Sequence, residues 1–202
     1  MILAIDTSTA ACSAALFDAA GACVGARHEL IGRGHSERLV PLVAELLGDR
    51  IPGRILIGVG PGSFTGIRVG IAAAHGMAIG WGIEVTGMSS LALLAASAGV
   101  ERIAAAMTGG HGELFVQQFD LPAVGATGPL LNLPPAQAAA AIGADVVIGP
   151  GAAALVNARG WGTAVDGWPD AAKALALPLA LRSLEPRPLY ARAPDARARE
   201  AA

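Results

Sequence analysis

Apolar residues in this chain fall into short unbroken runs separated by longer stretches with a helical period. Ile2–Ile5 is continuously apolar and ends at Asp6, after which Thr7, Ser8 and Thr9 form a polar turn. A run of that length bounded by turn residues predicts a buried strand. A second strand is expected over Cys12–Phe17, a tight connection at Asp18–Gly21 and a third strand over Ala22–Leu30. Between Gly34 and Gly48 the spacing turns helical and predicts a helix over 35–47. Ile55–Val59 reads as another strand, which Gly60, Pro61 and Gly62 break. Ser63 or Thr65 can cap a helix starting there, because a hydroxyl at that point accepts a free N–H of the first helical turn. From Gly66 to Gly82 nearly every residue is small or apolar, so a helix buried nearly all round is expected. Its strongly polar residues, Arg68 and His75, lie within about 20° of each other on a helical wheel. A strand at Ile83–Thr86 closes this half.

The second half has a weaker pattern. It predicts a short helix over Ser89–Ser97, with Ser89 or Ser90 near its start, and strands over Ile103–Met107 and Leu114–Phe119 around the glycine-rich Thr108–Gly112. Pro122–Pro135 reads as loop. Short helices are expected over Ala136–Ile142 and Gly151–Ala158, flanking a strand at Val146–Ile148. This half can be read as a trimmed second copy of the first. Arg182–Ala202 is rich in Pro and Arg and reads as a surface-hugging or frayed tail.

Three antiparallel strands followed by helix, strand, helix and strand are the order of a ribonuclease-H-like unit, the building block of actin, Hsp70 and sugar kinases. The expected fold class is therefore α/β, ribonuclease-H-like or actin-like, with a complete first unit and a shortened second. The expected domains are 1–100, carrying the partner-binding helices, and 101–202, a smaller unit with the C-terminal tail.

Composition narrows the function. The chain has 202 residues, is 53% hydrophobic and 15% charged, and carries a net charge of -2. That is ample for a core and lacks the basic excess of an autonomous nucleic-acid binder. Cys12 and Cys23 are too few for a disulfide scaffold, and Asp6 interrupts the N-terminal apolar run too early for a signal peptide. A cytoplasmic protein without a membrane segment is expected. Lys173 is the only lysine, which excludes mechanisms that need a lysine elsewhere.

Two stretches invite function. Gly60–Gly82 has a glycine-rich strand-to-helix turn that can cradle phosphate, but it lacks the GxxxxGK[ST] pattern of a P-loop. As a membrane span it is short and holds an Arg, a His and several glycines. A buried helix of an α/β core is the better reading, with Gly70, Ala73, Gly76 and Gly80 on one side where another backbone can approach. The helix over 35–47 has an apolar arc of about 200°, roughly twice what one sheet contact uses. Either a second helix of this chain or a partner subunit covers the rest. His35-Ser36-Glu37 at its start reads as helix capping, since Leu39 stands where a second metal ligand would be needed. His28, His35, His75 and His111 are scattered with no i, i+4 pair, and there is no HExxH or evident Ser–His–Asp or Cys–His arrangement. No cofactor and no metal is expected.

The run Gly60-Pro61-Gly62-Ser63-Phe64-Thr65-Gly66-Ile67-Arg68-Val69-Gly70 closely resembles the signature of the TsaB family, a subunit of the bacterial machinery that makes N6-threonylcarbamoyladenosine in tRNA. Ile2-Leu3-Ala4-Ile5-Asp6-Thr7-Ser8, with Thr9 after it, and His35-Ser36-Glu37 match as well. Gly112-Glu113 and Pro188-Leu189-Tyr190-Ala191-Arg192 are weaker matches. Thr108 stands where the family often has an Asp, and the second half looks short. The family's catalytic paralogue, TsaD, binds a metal through two histidines just after the strand equivalent to 83–86. Here Thr86-Gly87-Met88-Ser89-Ser90-Leu91 has none.

The resemblance implies a non-catalytic scaffold that pairs with a TsaD-like catalytic subunit. Through that complex it would join a TsaE-like ATPase and reach tRNA only indirectly, and it would form a homodimer when alone. The expected interface is Ser36, Leu39, Val40, Leu42, Val43 and Leu46 on the first helix, with Val69, Gly70, Ala73, Gly76, Met77 and Gly80 on the second. The other motif positions, Asp6, Ser8, Thr9, His35, Glu37, Gly60–Gly66 and Arg68, are expected to be structural or nucleotide-adjacent. The alternative is an actin-like ATPase or small-molecule phosphotransferase acting alone. It would hold phosphate on the turn at 6–9 and use Thr108–Gly112 as a second phosphate loop.

Overall fold

The computed structural model describes residues 1–98 and 100–189. Two sheets face each other across a shared core. The first contains β1 (Ile2–Asp6), β2 (Ala11–Phe17), β3 (Cys23–Leu30), β4 (Arg54–Gly58) and β5 (Glu84–Met88), in the order β3-β2-β1-β4-β5. β1, β2 and β3 form an antiparallel meander, while β4 and β5 continue the sheet parallel to β1. Parallel pairing needs crossovers, and two helices supply them. These are α1 (His35–Leu47) and α2 (Phe64–Trp81). Both pack on one face of the sheet over Leu3, Ile5, Leu16, Ile55 and Ile57.

Residues Ser90–Ala95 form α3, which is buried at every position between the two sheets. The second sheet is built from β6 (Arg102–Thr108), β7 (Leu114–Asp120), β8 (Gly125–Ala126), β9 (Leu131–Leu133), β10 (Val146–Ile148) and β11 (Thr163–Val165). Its order is β11-β10-β6-β7-β8, with β9 also on β7. The path from β7 through β6 and β10 to β11 repeats that from β2 through β1 and β4 to β5, with the same antiparallel and parallel senses. Helices α4 (Pro135–Ala141) and α5 (Ala152–Arg159) take the places of α1 and α2 but are much shorter. The chain is thus the two-lobed actin-like α/β fold, with a reduced second copy.

After β11 a 3-10 turn at Ala171–Ala176 returns to the first sheet, where Ser13 Oγ accepts a hydrogen bond from Ala171 N at 2.9 Å. Helix α6 (Leu179–Arg182) comes next. The central core joins Ala4, Leu56, Met88, Leu91 and Leu93 to Met107, Phe119 and Ala174. No helix among the described residues is long and apolar enough to cross a membrane.

The first half matches expectation closely: α1 spans 35–47 as the spacing predicts, and the strands differ at their ends by a residue or two. The stretch 122–135, expected as loop, contains β8 and β9. These strands, β11 and α6 are only two to four residues long, too short for a periodicity to form. Tyr190, Ala191 and Arg192 of the C-terminal match lie outside the described residues, with the rest of the tail to Ala202.

Candidate functional site

The sequence motifs meet at the C-terminal ends of β1 and β4. Asp6 ends β1 and is buried. Its Oδ1 accepts from Ser8 N at 2.8 Å and from Ser8 Oγ at 2.6 Å, and its Oδ2 accepts from Ser90 Oγ at 2.6 Å. Ser90 Oγ in turn accepts from Gly60 N at 3.2 Å. One carboxylate therefore ties the first turn, the start of α3 and the motif loop together. Burial pushes the Asp6 carboxyl above its ordinary range, against the opposing pull of the Ser8 and Ser90 hydrogen bonds. A side chain at Gly58 would collide with Asp6, so the strand beside this carboxylate has to be bare.

The motif loop is clamped onto the same turn. Ser63 N donates to Ser8 O at 2.7 Å, and Thr7 Oγ1 donates to Gly66 O at 2.8 Å. Ser63 caps α2, its Oγ accepting from Gly66 N at 3.2 Å. Gly66 and Gly70 face Thr7 so closely that a Cβ at either would strike it. Thr9 Oγ1 accepts from Ala11 N at 3.2 Å. Asp6, Thr7, Ser8 and Thr9 thus use their side chains within the turn and its neighbours.

Two clefts flank this knot. One, about 420 Å³, opens between the starts of α1 and α2 beside Arg33, Ser36, Thr65 and Val69. The other, about 250 Å³, lies between the lobes beside Thr9, Ser63, Thr108 and Trp168. Among the described residues, His, Cys, Asp and Glu form no group of three or more that could hold a metal ion.

The third feature is the outer surface of α1 and α2. Ile79 is 84% exposed and Val40 is 52% exposed. Thr65, Ala72 and Gly76 are also exposed along α2, as are Ser36 and Ala44 along α1. At ~100° per residue, Thr65, Ala72, Gly76 and Ile79 fall on one stripe of α2. Arg68 and Phe64 border it, the guanidinium 3.6 Å from the ring centre. The expectation of a helix buried nearly all round is corrected: α2 has one buried side and one open apolar side.

The expected interface divides accordingly. Leu39, Leu42, Val43 and Leu46 are buried in the core between α1 and the first sheet, and Gly70 is buried against Thr7 and Ile57. They offer no surface for a partner. Most of the wide apolar arc of α1 is covered by the sheet and by α2, which packs beside it, while Val40 and Ala44 stay exposed. Ala73 and Met77 are half-buried against the same core. Ser36, Val40, Gly76 and Gly80 remain outward, with Val69 half-exposed beside them.

His35 does not cap α1. Gly34 occupies the cap position, His35 Nε2 lies 3.2 Å from Ala11 O, and Ser36 Oγ bonds Glu37 at 2.9 Å. The ring is turned inward onto β2, so it braces the helix start from below.

Ser90 is the residue that sequence reasoning missed. It reads as one of two cap candidates, but Ser89 is the cap, accepting from Ala92 N at 3.2 Å, and Ser90 reaches Asp6. Their separation of 84 positions leaves no local signal.

This geometry has known relatives. The family model for TsaD, tRNA N6-adenosine threonylcarbamoyltransferase, matches residues 23–127, from β3 to β8. The TsaB proteins, described as tRNA threonylcarbamoyladenosine biosynthesis proteins, are similar over part of the chain. That of Escherichia coli (strain K12) is 39% identical over 127 residues, 58% of this chain and 54% of its own length. That of Bacillus subtilis (strain 168) is 35% identical over 101 residues, 48% of this chain and 44% of its own. The chain thus spans about half the length of the curated relatives it matches. Solved structures extend the likeness across both lobes. A Pseudomonas aeruginosa protein, described as uncharacterized with similarity to peptidase YeaZ, superposes with a TM-score of 0.80 at 32% identity. The match covers 95% of this chain and 99% of that one. YeaZ from the same organism gives a TM-score of 0.80 at 31% identity, covering 94% and 98%. With the motif loop, the two lobes and these relatives in agreement, the chain belongs to the TsaB family.

Proposed function

We propose that this chain is a non-catalytic docking subunit in tRNA threonylcarbamoyladenosine biosynthesis. It pairs with a TsaD-type catalytic subunit in the cytoplasm and supports N6-threonylcarbamoylation of adenosine 37. A TsaE-type ATPase joins through the complex, tRNA is reached through it, and a second copy of this chain takes the same face when the catalytic subunit is absent.

The observation that carries this reading is Asp6. A carboxylate that serves catalysis needs an oxygen free to bind a metal ion or to exchange a proton with substrate. Here both carboxylate oxygens are engaged by Ser8 and Ser90 in a buried knot. The docking half of the reading is supported by the outer stripe of α2 and the adjacent rim of α1. There Ile79 and Val40 are exposed beside small residues such as Ala44, Ala72 and Gly76, a surface that helices of another subunit can approach closely.

The test is reconstitution. The isolated chain, titrated with Mg-ATP, is expected to show no turnover. The TsaD-type subunit is expected to modify tRNA only when this chain is added. Micromolar ATP binding with hydrolysis by the isolated chain would overturn the non-catalytic reading.

A further inference from the structure

Helix α2 meets the first sheet largely through small residues. Six of its residues are buried: Ile67 and Ile71, with Gly66, Gly70, Ala74 and Ala78, which bury little apolar area. Met77 and Trp81 add half-buried contacts to the same core. Its position on the sheet also draws on its two flanks. On one flank stands α1. On the other runs the C-terminal segment 183–189.

That segment binds three separate pieces of the first lobe. Leu184 and Gly87 exchange backbone hydrogen bonds, Gly87 N to Leu184 O at 2.7 Å and Leu184 N to Gly87 O at 2.9 Å. The half-buried Leu184 side chain packs against the core that α2 covers. His75, on the open side of α2, places Nε2 3.3 Å from Pro186 O. Leu189 N donates to Val59 O at 2.8 Å, where β4 feeds the motif loop. Gly87 is the seat of the contact: a Cβ there would lie 2.7 Å from Glu185 O and 3.1 Å from Leu184 O. The segment covers the outer edge of β5, which would otherwise present free backbone groups.

We propose that residues 183–189 form a latch that positions α2, and with it the outer apolar stripe, against the first sheet. Its link to partner binding rests on the docking reading above, whereas its hold on α2 does not. Release of one flank lets a helix seated on small residues shift, so the docking face loses its shape while the sheets and cores stay intact.

Two full-length variants test this. Leu184→Gly with Leu189→Pro removes the half-buried side chain and the hydrogen bond to Val59. Gly87→Ala adds one methyl group that presses on Glu185 O and Leu184 O of the segment and on Val59 Cγ1 behind the strand. Amide hydrogen exchange of the isolated chains is the primary measurement. The expected result is at least tenfold faster exchange across residues 70–81, with α1 and the second sheet unchanged, and at least tenfold weaker binding of the TsaD-type subunit. Wild-type protection of 70–81 in either folded variant overturns the latch. If one variant fails to fold, the other decides. Loosened 70–81 with undiminished partner binding overturns the coupling but not the latch. If wild-type protein binds no TsaD-type subunit, the docking reading fails, while the exchange measurement still decides the latch.

Discussion

Replacing Asp6 separates a structural carboxylate from a catalytic one. Asp6→Ala removes the acceptor for Ser8 N, Ser8 Oγ and Ser90 Oγ. The buried Ser8 amide is then orphaned, at about 1–3 kcal/mol, and each lost hydroxyl bond costs about 0.5–1.5 kcal/mol. Release of a desolvated charge and rotation of the two hydroxyls offset part of this, leaving a net loss of about 2–4 kcal/mol. For a chain of this size that lowers Tm by roughly 4–16 °C. Asp6→Asn keeps the volume and the oxygen that Ser8 uses, and its amide can donate to Ser90, so the expected loss is within about 1 kcal/mol. The two variants also differ from wild type in pH dependence. Burial raises the Asp6 pKa in the folded state, so folding binds a proton more tightly than the open chain does. That contribution is full below the ordinary value of 3.8 and is lost as pH rises through the folded-state value. Neither Asp6→Asn nor Asp6→Ala has it. Urea unfolding across pH, run beside the reconstituted modification assay, measures both effects. An Asp6→Asn chain that folds, binds the catalytic subunit and yields an inactive complex would refute a structural role.

Gly76→Arg places a charge at the centre of the outer stripe of α2, where nothing lies within 4 Å of an added Cβ. The monomer is expected to unfold within a few degrees of wild type, while sedimentation with the catalytic subunit shows no complex, since an unpaired charge in a desolvated interface costs several kcal/mol. Unfolding of that variant, or retained pairing, counts against this face. Arg159→Ala is expected to destabilise the second lobe by about 2–3 kcal/mol in urea unfolding. Its guanidinium donates to the carbonyls of Ile142, Ala144, Asp145 and Trp161 and stacks 3.8 Å from the Trp161 ring. Arg38 holds Glu29 and Glu45 below their ordinary carboxylate range, chiefly by hydrogen bonding. The stability this gives is present above the ordinary value of 4.5 and lost as pH falls through the lowered ones, so Arg38→Gln should flatten the acid limb of a stability–pH curve.

Legibility in the sequence tracks contact range. β1, α1 and the motif loop are readable because each is set by neighbours: an apolar run, a helical period, and glycine and proline at a turn. The contacts that join them are not. Asp6 meets Ser90 and Ser13 meets Ala171 across long stretches of chain, and no local spacing encodes either contact. Gly70 is instructive. On a helical wheel it groups with Ala73, Gly76 and Gly80 as one small-residue side. The structure divides that side, because Gly70 is small to admit Thr7 from the same chain, while Gly76 meets nothing. A small residue on a helix marks close approach but does not say whether the approaching backbone is internal.

The repeated topology bears on where a partner can sit. Both lobes place two helices on the outer face of a sheet, so symmetry alone would allow docking on either. Helix length breaks the tie. With 13 and 18 residues, α1 and α2 run for about 20 and 27 Å, while α4 and α5, with 7 and 8, run for about 10 and 12 Å. Two helical turns present one or two side chains per face, too few for the ~800 Å² per partner that a stable complex buries. The short α4 and α5 instead close over Ala104, Val116 and Val147, completing their own core. The first lobe, whose longer helices reach beyond what their sheet needs, is the one with surface to offer, and the contacts of segment 183–189 fall on that lobe.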